Sequence, residues 1–441
     1  MKQSTAKGFG RKGWVILILT FFSILMNAMI IYDSLNVTLL PQTGLGWPTR
    51  LGLQNPSILY VFSTIAAWIS VPGAIIFGWL CGKKSCKFSW GLALVLNAVV
   101  CFLWTFAKAS PVYLIMLCLA NICGMGFNYI ASLNVVSNWY PTKKGLAMGV
   151  VTIGFPLSAT IATPLCTALV TNIGLNGIYY LFSIICLILC VLVFALVKDY
   201  PEQAGAYPDN DKSFDRALSD KLLAEGIEYR KTSVWQPKKF LKTPNVWKII
   251  FPLGVMELFS LGVMSNFVPR MAQIGFVNVN DVTPMLACAG LVACVGSYLC
   301  GVMDQKLGTK KAIIITFIFG IVSLALNVIG GFIHGFSDAK DLGYILIFIG
   351  QPFMGIMLGG AANYLVSLIA TIWGRYDFDN GYRVMKPAVA LIGALGITIC
   401  GALGNAPGVG YAYAYLLICV LCVIAVIIAA RIDDTYVGKK D

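Results

Sequence analysis

Charge and histidine are both scarce in this chain. Of its 441 residues only 12% are Asp, Glu, Lys or Arg, and a single one is histidine; a soluble domain carries about 25% charged residues. The first scarcity excludes an ordinary soluble enzyme and a disordered chain. The second excludes histidine-based metal sites and most histidine-dependent acid–base catalysis. No Gly-x-x-x-x-Gly-Lys-Ser/Thr loop is present to cradle a nucleotide. What takes the place of charge is apolar: 58% of residues are hydrophobic and the mean hydropathy is +0.81. The formal net charge of +13 would point to nucleic acid in a soluble chain, so the placement of those charges has to decide.

Twelve apolar stretches reach the roughly 20 residues that a helix needs to cross a bilayer core, among them 13–36, 246–270, 283–304, 342–372 and 382–404. Residues 1–12 are basic and no small-residue cleavage site follows the first stretch, so a retained first helix is expected. With the N-terminus placed in the cytoplasm and the helices alternating, 27 of the 32 Lys and Arg residues fall on the inner side. Arg50, Lys108, Arg270 and Lys340 fall outside, and Lys386 lies within a span. This asymmetry is the positive-inside rule. It predicts a multi-pass protein of the cytoplasmic (inner) membrane with both termini cytoplasmic, and it accounts for the +13 without nucleic acid. The polar segment 198–245 divides the chain into an N-terminal six-helix half, 1–197, and a C-terminal six-helix half, 246–441. Its stretch Phe214–Tyr229 is amphipathic enough to form a short surface helix. The fourteen cysteines lie almost entirely in spans, where they serve as small apolar residues.

The halves repeat one another. Asn128-Tyr129-Ile-Ala-Ser132-Leu133 in helix 4 returns as Asn363-Tyr364-Leu-Val-Ser367-Leu368 in helix 10, and Leu80-Cys81-Gly82 after helix 2 returns as Leu299-Cys300-Gly301 at the end of helix 8. Two echoes in the same order predict a six-helix duplication, hence an all-α membrane protein of two pseudo-symmetric halves around a midplane cavity.

Several segments carry a family resemblance. Asn138-Trp139-Tyr140-Pro141-Thr-Lys-Lys-Gly145-Leu-Ala-Met-Gly149, Tyr200-Pro201-Glu-Gln-Ala-Gly205-Ala-Tyr-Pro208 and Gly301-Val-Met-Asp304-Gln-Lys-Leu-Gly308-Thr-Lys-Lys311 resemble the major facilitator superfamily. Within it they are most similar to the oxalate–formate antiporters. The resemblance implies a major facilitator fold over essentially the whole chain. It also implies gating residues in the inner loops: Gly78 and Lys83 after helix 2, and Asp304 and Gly308 after helix 8. The Gly-x-x-x-Asp-Arg signature between helices 2 and 3 is altered, because Gly78-Trp-Leu-Cys-Gly82-Lys83-Lys84 lacks the acid.

Ionisable groups inside spans cost about 2.5–3.5 kcal/mol each on insertion scales and are functional candidates by default. They are Asp33, Glu257 and Lys386; Arg270 and Arg383 lie near helix ends, where snorkelling lowers the cost. The oxalate–formate antiporters carry a lysine in helix 11 and an arginine in helix 8 that together hold a dicarboxylate. The resemblance of Gly381-Tyr-Arg-Val-Met-Lys386-Pro to the helix-11 pattern gives Lys386 the lysine's role, while helix 8, Leu286 to Asp304, contains no Arg or Lys. One cation suits one carboxylate, so a monoanion or a larger organic acid is expected rather than oxalate. A lysine that merely snorkels to the cytoplasmic face stays open beside this reading.

Glu257 can pair with Lys386, carry a proton, or bond within the bundle as the neutral acid. Asp33 is the second proton-coupling candidate. Asn128, Tyr129, Asn363 and Tyr364, with Tyr32 and Tyr298, are candidate cavity-lining residues that would bind substrate by hydrogen bonds and ring surface, or else join helices.

The expected function is secondary transport of a small organic anion (a carboxylate) by alternating access, as antiporter or proton symporter, without enzymatic chemistry, metal or cofactor. The expected partners are the anion, the bilayer and protons, with the chain acting as a monomer. The alternatives are a proton-coupled carrier of a larger amphipathic acid such as a bile-acid-like steroid, and a non-transporting membrane receptor.

Overall fold

The computed structural model describes residues 8–38, 46–53, 58–211, 216–276, 279–404 and 409–439. Among them there is no strand, and twelve helices are long and apolar enough to cross a membrane. The N-terminal six are Arg11–Asp33, Val61–Lys83, Cys86–Trp104, Ser110–Trp139, Lys144–Ala162 and Pro164–Leu196. The C-terminal six are Pro244–Ser265, Pro284–Leu307, Thr309–Phe336, Lys340–Gly360, Tyr364–Gly404 and Gly410–Ala429. They are called the first to twelfth spans below. Large apolar side chains such as Phe106, Ile184, Val191 and Val295 are more than half exposed on the outside of the bundle. That surface would be untenable in water and is what hydrocarbon requires.

Local chemistry sets the ends. Ser85 caps the third span by accepting the Phe88 N–H at 3.0 Å, and prolines open the first turns of the fourth and seventh, where their missing N–H costs nothing. Two long helices are each interrupted at a single glycine. Gly174, at φ 72°, and Gly374, at φ 75°, break otherwise continuous helices running Gly154–Leu196 and Tyr364–Gly404. Positive φ is inexpensive only without a Cβ. The break at Gly374 corrects the sequence expectation that helix 11 begins at 382. Residues 375–381 are helical, not loop, so Lys386 stands about three turns and about 18 Å beyond the break.

The first and last described stretches and the central segment gather on one face. The Tyr140 hydroxyl donates to Phe9 O at 3.0 Å and Lys12 Nζ to Ala204 O at 2.5 Å. Near the other terminus Lys310 Nζ donates to Ile432 O at 2.7 Å and Asn245 Nδ2 to Asp433 O at 2.7 Å. This face carries the basic loops. The amphipathic stretch forms a helix, Arg216–Thr232, docked beneath the C-terminal half: Tyr229 donates to Asp377 at 3.0 Å, and Arg230 pairs with Asp379.

The halves touch on both sides of the waist. On the basic side a Cβ on Gly149 would lie 2.9 Å from Gly301 Cα, so the fifth and eighth spans meet backbone to backbone. There Gln305 donates to Thr142 O at 3.2 Å, Lys144 Nζ to Thr371 at 2.6 Å, and Asn134 Nδ2 to Asp379 at 2.8 Å. On the opposite side Thr64 and Thr398 are 3.1 Å apart, Trp68 Nε1 donates to Leu391 O at 3.3 Å, and Thr160 to Ala287 O at 3.2 Å.

Candidate functional site

Two spans of the N-terminal half depart from α geometry where they face the middle of the bundle. The first ends in a π-helical turn, Met29–Asp33, and the fourth contains another, Met125–Ile130. Such turns widen the helix by a residue, re-aim the side chains they carry, and recur at functional sites. The first presents Tyr32 and Asp33, the second Tyr129. Asp33 is not the solvent-exposed acid its position near a helix end would allow: it is 8% exposed and accepts the Ser158 hydroxyl of the fifth span.

The C-terminal half supplies the charges. Glu257 lies in the middle of the seventh span, against Gly393 of the eleventh, where a Cβ would come within 2.7 Å of Glu257 Cγ. That closeness brings Lys386 to it. Lys386 Nζ donates to Oε1 at 2.9 Å and to Oε2 at 2.7 Å, and both side chains are nearly buried. Across the divide, the Tyr129 ring centroid lies 4.1 Å from the same nitrogen, a cation–π contact worth about 2 kcal/mol when desolvated. Lys386 is thus held by a carboxylate on one side and a ring on the other and is 5% exposed, which is not the geometry of a snorkelling lysine.

These groups line a cavity of about 100 Å3 drawn from both halves. Lys386, Glu257, Asp33, Tyr32, Tyr129 and Ser260 supply its polar lining, and Phe155, its ring centre 5.8 Å from that of Tyr129, begins its apolar wall. A buried pair of opposite charges gains little net stability over an apolar one, but it cannot lose one member without leaving an uncompensated charge. Separating Lys386 from Glu257 therefore requires that each find another partner or that the carboxylate be neutralised.

The remaining expected residues lie elsewhere. Asn128 is fully buried, and neither of its side-chain atoms meets a hydrogen-bond partner. Asn363 joins the halves, donating to Ser297 O at 3.0 Å and accepting the Thr152 hydroxyl. Tyr364 turns from the cavity to Thr316 of the ninth span, 2.7 Å away. Tyr298 is 47% exposed on the outside of the bundle, so it does not line the cavity. Of the inner-loop residues, Gly78 admits Arg383, whose Cβ would be 2.9 Å from a Cβ there, and Lys83 lies over the Trp79 ring at 4.7 Å. Asp304 accepts the Thr309 hydroxyl at 2.6 Å, and Gly308, at φ 86°, precedes the ninth span. Ser158, Thr152, Ser297 and Phe155 were missed; their partners lie more than a hundred residues away in the chain or on another span, and no local pattern marks them. Arg270, expected to snorkel, is instead 2% exposed, 5.6 Å from the Tyr415 ring centre.

Known proteins resemble this chain over stretches of different length. It is 20% identical to an uncharacterized MFS-type transporter of Escherichia coli over 341 residues, 76% of each chain. It is 24% identical to the oxalate:formate antiporter of Oxalobacter formigenes over 233 residues, 52% of this chain and 51% of that one. To the hexuronate transporter of Bacillus subtilis it is 32% identical over 135 residues, 30% and 32% of the two chains. The crystal structure of the human organic anion transporter MFSD10 superposes with a TM-score of 0.67, at 14% identity, covering 95% of this chain and all of that one. The family model of the Major Facilitator Superfamily matches residues 14–378. The twelve-span fold with a cavity between two halves is therefore that of a family to which this chain belongs: the Major Facilitator Superfamily.

Proposed function

We propose that this protein is a secondary transporter of small monocarboxylates, coupled to protons and working by alternating access, with its basic face in the cytoplasm. The observation that carries the reading is the buried Lys386–Glu257 pair beside the Tyr129 ring, within a cavity that both halves line. A substrate carboxylate is a chemical equivalent of the Glu257 side chain and competes with it for Lys386. When the substrate takes the lysine, Glu257 is left in a low-dielectric site without a counter-charge, and binding a proton relieves that cost. One carboxylate enters with one proton, and the site ends with the net charge it began with.

Glu257 takes the coupling role because it touches Lys386; Asp33, held by Ser158, is the second candidate on the far wall. Size supports a small substrate. Drug-sized ligands occupy pockets of about 300–1,000 Å3, and a cavity of about 100 Å3 is smaller than a steroid skeleton needs. The names of the similar proteins, an oxalate:formate antiporter, a hexuronate transporter and an organic anion transporter, agree with an acid as cargo. The lopsided placement of Lys and Arg supports the orientation.

Uptake of labelled monocarboxylates into proteoliposomes tests the reading. An inward proton gradient should drive accumulation above equilibrium, and a protonophore should abolish it. Uptake that requires internal carboxylate and ignores the gradient would make the protein an exchanger. No flux of any acid would favour a receptor.

A further inference from the structure

A second cavity, of about 650 Å3, opens on the basic face, and its charge is very different from that of the first. Lys84 and Lys87 enter it from the turn and helix after the second span, Lys198 from the end of the sixth, Arg230 and Lys231 from the central helix, and Arg383 from the eleventh span. Against these six cations stand two carboxylates, Asp199 and Asp379, and both are already engaged. Asp199 accepts the backbone N–H groups of Cys86 at 2.8 Å and Lys87 at 2.7 Å. Asp379 accepts Asn134 Nδ2 at 2.8 Å and pairs with Arg230. Lys231 has Glu228 beside it at 2.9 Å, outside the cavity. Among the described residues, the side chains of Lys87, Lys198 and Arg383 have neither ion pair nor hydrogen bond. Arg383 is also half-withdrawn from water against Gly78.

We propose that this cavity binds a multiply charged, phosphate-bearing anion, and that the bound anion holds the basic side of the transporter closed. The surplus of positive charge sets the ligand class. A single carboxylate needs one cation, as at Lys386, whereas this cavity offers several around a volume in the range of ligand pockets. Phosphate groups carry about −1.5 to −2 charge each at neutral pH, and Arg and Lys bind them by fork and by point charge respectively.

The effect on conformation follows from where the cations come from. Lys84 and Lys87 belong to the N-terminal half, Arg383 to the C-terminal half, and Arg230 and Lys231 to the helix between. Parting the second and eleventh spans, which touch at Gly78 and Arg383, dismantles the site. A ligand that binds only the closed arrangement shifts the population towards it. The closing effect rests on the alternating-access reading; the binding itself does not.

A soluble phosphate compound and an anionic lipid headgroup share this chemistry, and one experiment separates them. The full-length protein is placed in phosphatidylcholine vesicles and its unfolding midpoint followed as inorganic tripolyphosphate is added. A saturable rise is expected. The Lys87→Gln/Lys198→Gln/Arg383→Gln variant should bind at least tenfold more weakly, and the milder Lys198→Gln single variant should show the same direction should the triple variant not fold. Repetition with phosphatidylglycerol at a third of the lipid identifies the source. A response lost in those vesicles assigns the site to headgroups, and a response that persists assigns it to a soluble anion. Tripolyphosphate trapped inside proteoliposomes should also slow carboxylate uptake, while the same concentration outside should not. Wild type and variants responding alike, or no saturable response in either vesicle, would overturn the proposal. Because the unfolding readout needs no transported acid, it can succeed where the carboxylate reading fails, and the reverse.

Discussion

Asn128-Tyr129 and Asn363-Tyr364 occupy equivalent places in the two halves, yet they do opposite things. The first pair sits in a π-helical turn and sends its tyrosine to the cavity, where the ring meets Lys386. The second follows the break at Gly360 and sends its tyrosine outward to Thr316, while its asparagine ties the fifth and eighth spans together. One copy faces the cavity and the other holds the frame. The ion pair belongs entirely to the C-terminal half, so the N-terminal half contributes its ring and Asp33 rather than a cation. A duplicated scaffold has become a lopsided site.

The comparison can be broken by substitution. The largest effect is expected at the cation itself: Lys386→Ala should lose on the order of 2–5 kcal/mol of carboxylate affinity, the range for truncating one member of a buried charge pair. It should also lose the preference for an acid over its neutral amide, measured by ligand-induced stabilisation of the purified protein. Folding should survive, since Glu257 without its partner can take up a proton. Next come the asparagines. Asn363→Ala removes the bonds to Ser297 and Thr152 and should cost about 1–3 kcal/mol of stability. Asn128→Ala removes no bond and should cost less than half as much; thermal unfolding of the two side by side checks this. Smaller still are the tyrosines. Tyr129→Ala should weaken substrate binding by about 1–2 kcal/mol through the lost cation–π contact. Tyr364→Phe should leave binding unchanged and lower stability by about 1 kcal/mol. Equal effects of the two tyrosines on affinity would restore the symmetry that the structure denies.

These residues also mark how far the sequence is legible. The spans can be read because a bilayer demands a long apolar run whatever packs around it, and Lys386 stands out because a cation inside such a run is costly. Arg375, Asp377, Asp379 and Asn380 make the sequence start helix 11 at 382 rather than just after Gly374, because they look like a loop. They are tolerated in a helix because Glu202, Ser233, Arg230, Asn134 and Trp235 O satisfy them. The pairing of Glu257 with Lys386 is an option in the sequence and a contact only in the fold. Which face a helix turns inward is not written locally: Tyr298 and Tyr129 look alike in sequence, and one is on the outside of the bundle. Arg270 differs from expectation for the same reason, since what buries it comes from the ninth and twelfth spans.

The central claim is that a substrate carboxylate and Glu257 compete for Lys386. Measuring the dissociation constant for a transported monocarboxylate against pH, in wild type and in Glu257→Gln, tests it most directly. Binding that displaces Glu257 takes up a proton, so wild-type affinity should weaken as pH rises, by up to tenfold per pH unit once Glu257 is ionised in the free protein. Glu257→Gln offers Lys386 no rival anion and takes up no proton, so its affinity should be flat over the same range and tighter than wild type at the alkaline end. The same slope in both proteins would contradict the account.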